Sequence, residues 1–327
     1  MSRVSKYAFI HAKIHGLMAK SYFDERLRFL VKITSLLDLS KTLFPRQEAE
    51  AAEGELVADV QRKFENSVID TLVRVLAFFP RPPELLAHAL HEYDYRNLLT
   101  LLREKFTGLQ DIRLWDTGRY AVLGRGAEKD FPRSLAKTRF EKYIGRMDTT
   151  PLSELEFQID RQYYAELIDC VNALPSGERK RVTPLVHTEV LLQNLLWALR
   201  LKFYFGKNFD EAEKYLFPFG FSGVAGLARR VFELPADDPK AWEGLGPGNV
   251  FSAGRDGLID PEAIEGRAGL YFYKKLRRFF YANPFTLASV YAFFRIKKYE
   301  ARLVTSVSEG IRMGISSREM EEALNIS

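Results

Sequence analysis

The chain has 327 residues, 46% of them apolar and 13% aromatic, which is enough to bury a sizeable core. Its formal charge of +5 is too small an excess to mark a nucleic-acid binder by itself, and a single cysteine, Cys170, excludes an intrachain disulfide and fits a reducing compartment. No apolar run approaches the roughly 20 residues of a membrane-spanning helix, because the longest uncharged stretch, 279–294, is broken by Asn283–Pro284.

Residues 1–45 open with an aromatic and basic helical pattern, YAFIHAKIHGLMAKSYF, and continue as a leucine-rich stretch to Phe44–Pro45. Arg3, Lys6, Lys13 and Lys20 start the chain without the apolar core and cleavage site of a signal peptide. EAEAAEGE (48–55) reads as an acidic linker. A helix is expected over 58–79, ending at FFPRPP, and a longer one from Pro83 to Gly108. The stretch 114–134 reads as loop. A second pair of helices is expected over 155–174 and 184–206, separated by ALPSGERKRVTP. The region 234–261, dense in glycine, proline and aspartate, is the longest irregular segment, of the kind that is usually functional or disordered. A third pair covers 264–281 and 284–314, separated by FFYANP, and no segment carries a strand pattern. The fold class is therefore all-α.

The three long helices share their punctuation and their apolar face. Each opens at a proline (Pro83, Pro184, Pro284) and closes at a glycine (Gly108, Gly206, Gly314). Tyr95, Leu98, Leu99, Leu102 and Phe106 superimpose on Leu192, Leu195, Leu196, Leu199 and Phe203, the i, i+3, i+4, i+7, i+11 stripe of one buried helix face. Leu303, Val304, Val307 and Ile311 repeat it, with Glu300 as the one polar departure. Each long helix follows another helix across a proline- or glycine-marked turn, so three αα-hairpins are expected, with unit boundaries at 1–109, 110–206 and 207–327.

Reactive chemistry has no comparable signature. Gly206–Lys207 lacks the upstream glycine and following hydroxyl of a phosphate loop, the alternating Gly244, Gly246 and Gly248 fail the dinucleotide pattern, and Gly220, Ser222 and Gly223 have the wrong spacing for a nucleophile elbow. His11 with His15, and His88 with His91 one turn after Glu84, each place two metal donors on a helix face, but neither pair has a complete ligand set. They read as ordinary surface or interface histidines, and no catalytic, cofactor or metal residue is assigned. The basic, aromatic stretches RSLAKTRFEKYIGR, YKKLRRFFY and FRIKKYEAR suit anionic partners in composition, though solvated helix faces with snorkelling lysines account for them as well.

The three helices EYDYRNLLTLLREKFTG (92–108), HTEVLLQNLLWALRLKFYFGK (187–207) and YAFFRIKKYEARLVTSVSEGIRMGIS (291–316), in this order and spacing, resemble those of the C subunit of bacterial and archaeal A/V-type rotary ATPases. That family includes the d subunit of eukaryotic V-ATPases, and the likeness runs from YAFIHAKIHGLM to the last helix. It departs in the third copy, where Arg302 stands for Asn97 and Asn194 and Ser308 for Arg103 and Arg200, and in the insert 234–261. The resemblance implies three homologous helical bundles around a pseudo-threefold axis, shaped as a funnel. It implies a non-catalytic central-stalk component that holds the rotor shaft, made of the D and F subunits, and rests on the proteolipid ring at the cytoplasmic side of the membrane. Such a component passes torque for ATP-coupled ion transport, with no cofactor and no nucleic acid. Asn97, Arg103, Asn194, Arg200 and Arg302, on the edges of the apolar stripe, are the expected partner-facing residues. The same positions also suit internal helix contacts and favourable pairing with the helix dipole. A helical-repeat scaffold for another partner, or for an anionic membrane surface, is the alternative reading.

Overall fold

The computed structural model describes residues 3–46, 53–108, 113–123, 126–217, 223–235, 237–252 and 259–324; most of the acidic linker, Gly220 and Ser222, and part of the insert lie outside them. Among the described residues twelve α-helices follow in order: α1 Arg3–Met18, α2 Glu25–Val31, α3 Leu36–Leu43, α4 Leu56–Ala77, α5 Glu84–Thr107 and α6 Leu152–Asn172. Then come α7 Ser176–Phe203, α8 Phe209–Ala212, α9 Val224–Glu233, α10 Pro261–Ala282, α11 Leu287–Arg312 and α12 Ser317–Ala323. No strand occurs among the described residues.

The glycine ends form as expected. Gly108 adopts φ 70° and donates its N–H to the Glu104 carbonyl at 2.7 Å. Gly314, at φ 69°, donates to Ile311 while Ile315 donates to Gly310 at 2.9 Å, the paired bonds of a Schellman cap. A side chain at either glycine would strain the left-handed backbone. The proline starts are less uniform. Pro83 precedes α5 as expected, but α7 begins at Ser176 behind Pro175 and runs straight through Pro184. One proline costs its helix a single hydrogen bond and some bending, which tertiary packing of a long helix tolerates. Pro284 lies in the turn between α10 and α11, and Thr286 caps α11 by accepting the Ser289 N–H at 3.4 Å.

By packing, the chain gathers into two units, 1–78 with 269–327, and 79–268. In the first, α11 is wholly or largely buried along most of its length and packs chiefly on α4, with α1 and α3 beside it. Its core includes Ile14, Leu30, Leu72, Val75, Phe293 and Val304. Tyr273 of α10 stacks between Phe23 and Tyr299 of α11, at ring distances of 4.7 and 5.0 Å. In the second unit α5 packs on α6, and α7 packs on α9 and α6. Of the expected hairpins, α6 packs on α7, and α10 meets α11 through the Tyr273–Tyr299 stack; α4 and α5 fall in different units, where α4 packs chiefly on α11 and α5 on α6.

Within the second unit the insert is anchored. Trp242 is fully buried, donates its indole N–H to the Pro235 carbonyl at 2.7 Å and stacks on Phe251. Gly246 lies so close to Phe251 that a Cβ would stand 2.6 Å from the ring, so only glycine fits. Lys202 of α7 donates to the Val231 and Leu234 carbonyls, closing the C-terminal end of α9 with a cation.

Candidate functional site

The expected partner-facing residues divide by burial. Asn97 is 2% exposed and Asn194 0%. Each carboxamide grips one residue of the segment that follows its helix. Asn97 Oδ1 accepts the Trp115 N–H and its Nδ2 donates to the Trp115 carbonyl, both at 2.8 Å. Asn194 Oδ1 accepts the Phe217 N–H at 2.8 Å and its Nδ2 donates to the Phe217 carbonyl at 3.5 Å. A carboxamide has one acceptor and one donor side, as a peptide group does, so it can substitute for a neighbouring backbone. Asp94, one turn before Asn97, adds to the first clamp by accepting the Val122 and Leu123 N–H groups at 2.9 and 3.0 Å. Burial pushes the Asp94 carboxyl up to about 6, against the lowering effect of those two bonds.

Six residues after each asparagine an arginine reaches the first turns of another helix. Arg103 pairs with Glu156 of α6 at 2.7 Å, and Arg200 with Glu265 of α10 at 2.6 Å. Glu156 and Glu265 stand one turn inside their helices, at equivalent places after Leu152 and Pro261. Burial, reinforced by the negative charges of Glu92 and Glu156, raises Asp160 to about 7, while Arg200 and Arg103 oppose the shift. Beside Arg200 a cleft of about 270 Å³ lies between Leu196, Leu199 and Tyr204 of α7 and Pro261, Glu262 and Glu265 of α10.

The third copy keeps the bridge and changes the clamp. Ser308 accepts from Gln61 Nε2 at 3.0 Å, and Gln61 stands in the early turns of α4, as Glu156 and Glu265 do in theirs. Arg302, at the asparagine position, is exposed. Glu300, 1% exposed, instead accepts the Tyr22 N–H at 2.6 Å and pairs with Lys297, whose ammonium also donates to Ser21 Oγ at 3.3 Å. The polar departure in the stripe is thus a buried ion pair fastening the turn between α1 and α2.

A further repeat surrounds the three glycines. Phe106 before Gly108, Tyr204 and Phe205 before Gly206, and Met313 and Ile315 around Gly314 are exposed, from 37 to 65%. Phe106 is therefore the member of its stripe that leaves the core. Large apolar groups are thus left in water at the ends of all three long helices. Their signal in the sequence is an apolar residue within two positions of each closing glycine, of which only Phe106 belongs to the stripe.

The polar interior of the second unit is built for packing. His88 Nε2 lies 2.9 Å from the Tyr163 carbonyl, and Glu166 is held by Arg139 at 2.7 Å and by Gln162 at 2.6 Å. Burial pushes the Cys170 thiol up to about 12, so it is no thiolate at neutral pH. Several residues of the basic stretches meet partners within the chain: Arg139 with Glu166, Arg146 with Gln158, Arg277 with Asp24 and Lys297 with Glu300. Among the described residues no helix is long and apolar enough to cross a membrane.

The family model described as "ATP synthase (C/AC39) subunit" matches residues 10–323. A protein of Treponema pallidum (strain Nichols), described as uncharacterized, is 28% identical over 326 residues, covering 94% of this chain and 92% of its own length. The A-type ATP synthase C subunit of Methanosarcina mazei is 22% identical over 356 residues, covering 98% and 93%. That of Methanosarcina barkeri is 23% identical over 257 residues, covering 73% and 69%.

Proposed function

Because the chain belongs to the ATP synthase (C/AC39) subunit family, that of the C subunit of A/V-type rotary ATPases, we propose that it is the central-stalk component joining rotor shaft to proteolipid ring. In this reading it receives the D and F subunits of the shaft, rests on the ring at the cytoplasmic side, transmits torque for ATP-coupled proton or sodium transport, and catalyses nothing itself. Three units, 1–109, 110–206 and 207–327, surround a pseudo-threefold axis as a funnel.

The observation that supports this reading is the recurrence of one bridge on all three long helices. α5 reaches to α6 and α7 to α10, and α11 reaches to α4, each time from near the end of the long helix to the early turns of another helix. A torque-bearing part requires its long helices held at more than one point. Arg103, Arg200 and Arg302 then stand at the partner-facing surface, with Asn97 and Asn194 as the buried supports behind it. The exposed groups beside Gly108, Gly206 and Gly314 supply apolar area to a contact that needs about 1,200 Å² or more.

Co-expression with the D and F subunits and the ring of the same organism tests the assignment. A tagged chain is expected to retain shaft and ring in mild detergent. Recovery of neither would overturn it. Combining Phe106→Asp, Tyr204→Asp and Met313→Asp should reduce retention at least about tenfold with the helical circular dichroism unchanged, since apolar anchors carry most contact energy.

A further inference from the structure

The sequence offers two histidine pairs, and only one of them converges. His88 and His91 lie with ring centroids 6.3 Å apart and planes at 89°, and His88 Nε2 is engaged by the Tyr163 carbonyl. His11 and His15, on α1, are arranged otherwise. Their Nε2 atoms are 3.1 Å apart, with ring centroids at 4.2 Å and planes at 38°.

Two imidazole nitrogens bound to one tetrahedral Zn²⁺, at about 2.0–2.1 Å each, stand roughly 3.3 Å apart. The observed separation is within a few tenths of an ångström of that value. The same distance also serves an N–H···N bond between the rings, which a bound ion would replace. The rings are held there by aromatic neighbours: Phe285 against His11 at 4.7 Å, Phe280 stacked on His15 at 4.4 Å, and the edge of Tyr281 at 5.7 Å. That packing has already restricted the side-chain rotations a chelate would otherwise have to freeze. Both residues stay half-exposed, so a hydrated ion has access. Burial lowers the pKa of each histidine, which favours the neutral, ligating form.

We propose that His11 and His15 form a two-point chelate for a divalent transition metal of the Zn²⁺, Ni²⁺ and Cu²⁺ class, with water in the remaining positions. Among the described residues no further His, Cys, Asp or Glu joins them, so the site is an open chelate and not a closed structural centre.

Calorimetric titration of the whole, chelator-treated chain with Cu²⁺, Ni²⁺ and Zn²⁺ tests it. One equivalent is expected, tightest for Cu²⁺. Either His11→Gln or His15→Gln should weaken binding at least about tenfold, because the second donor then no longer acts within the same molecule. His187→Gln should leave binding unchanged. Unaltered affinity in both single variants, or loss in the His187 variant instead, overturns the proposal. Should a variant fail to fold, the unmodified chain still decides the matter. Zn²⁺ should protect His11 and His15 from acylation by diethyl pyrocarbonate, and equal modification with and without metal would refute the site.

Discussion

The two asparagine helices and α11 perform one task, holding a distant stretch of chain against a long helix, with different chemistry. Asn97 and Asn194 use a neutral group that matches both sides of a peptide and leaves no charge in the interior. The third helix uses Glu300 and Lys297, two charges taken almost completely out of water. The tethered segments differ too. Connectors follow α5 and α7, and their described residues Trp115 and Phe217 are clamped from behind. α11 fastens the Ser21–Tyr22 turn instead. A repeat can thus keep the place where a helix is tethered while changing what it tethers and how.

The comparison breaks most sharply at the ion pair. Lys297→Met leaves the Glu300 charge buried without its counter-charge and should cost about 3–5 kcal/mol in denaturant unfolding. Adding Glu300→Gln should recover part of that loss, and no recovery would mean that Lys297 acts through packing alone.

The neutral clamps come next. Asn194→Ala strands the buried N–H and carbonyl of Phe217 and should destabilise by about 2–3 kcal/mol. Asn97→Ala should cost less, since Trp115 is only half-buried. Asn→Asp at either place removes the donor and puts a charge in the interior, so at neutral pH it should cost at least as much as Ala; a smaller loss would show that the acceptor side holds the clamp.

The carboxyls near the clamp and bridge set a pH dependence. Asp94 is raised to about 6 and Asp160 to about 7, above the usual Asp value, so between about pH 4 and those values the folded chain holds protons that the unfolded chain has released. Stability contributed by these groups is therefore present at low pH and lost as pH rises through 6 to 7. The double variant Asp94→Asn, Asp160→Asn should flatten that slope in urea unfolding from pH 4 to 7.5; an unchanged slope would exclude both groups.

The smallest effect is expected at the arginine bridges. Arg103 and Arg200 are 56% and 36% exposed, so Arg→Ala at either should cost no more than about 1 kcal/mol in stability. A larger loss would place these bridges among the main supports of the fold.

The legible part of this chain was local. Gly108, Gly206 and Gly314 adopt positive φ because each ends a helix, and that requirement is written in the residue itself. The stripe from Tyr95 to Leu102 and from Leu192 to Leu199 faces inward because helical periodicity allows little else. Pro184 misled because a proline in an otherwise apolar-periodic segment reads as a start, while the packing of α7 carries the helix across it. Phe106 misled because periodicity places a residue on a face without saying where the covering element stops. The insert read as irregular, functional or disordered, and buried Trp242, Leu245, Val250 and Phe251 anchor its described part within the second unit.

The sequence by itself determined that the chain is helical, where most of its helices end, that three long helices share one apolar face, and which family it resembles. All of these rest on interactions between residues a few positions apart. Only tertiary structure decided that α5 packs on α6, that Asn97 and Asn194 grip the backbone of Trp115 and Phe217, that Glu300 is a buried clamp, and that His11 and His15 converge where His88 and His91 do not. Such partners lie tens or hundreds of residues apart in the chain, or depend on neighbours that do, and no local rule of turn, cap or periodicity couples positions so distant.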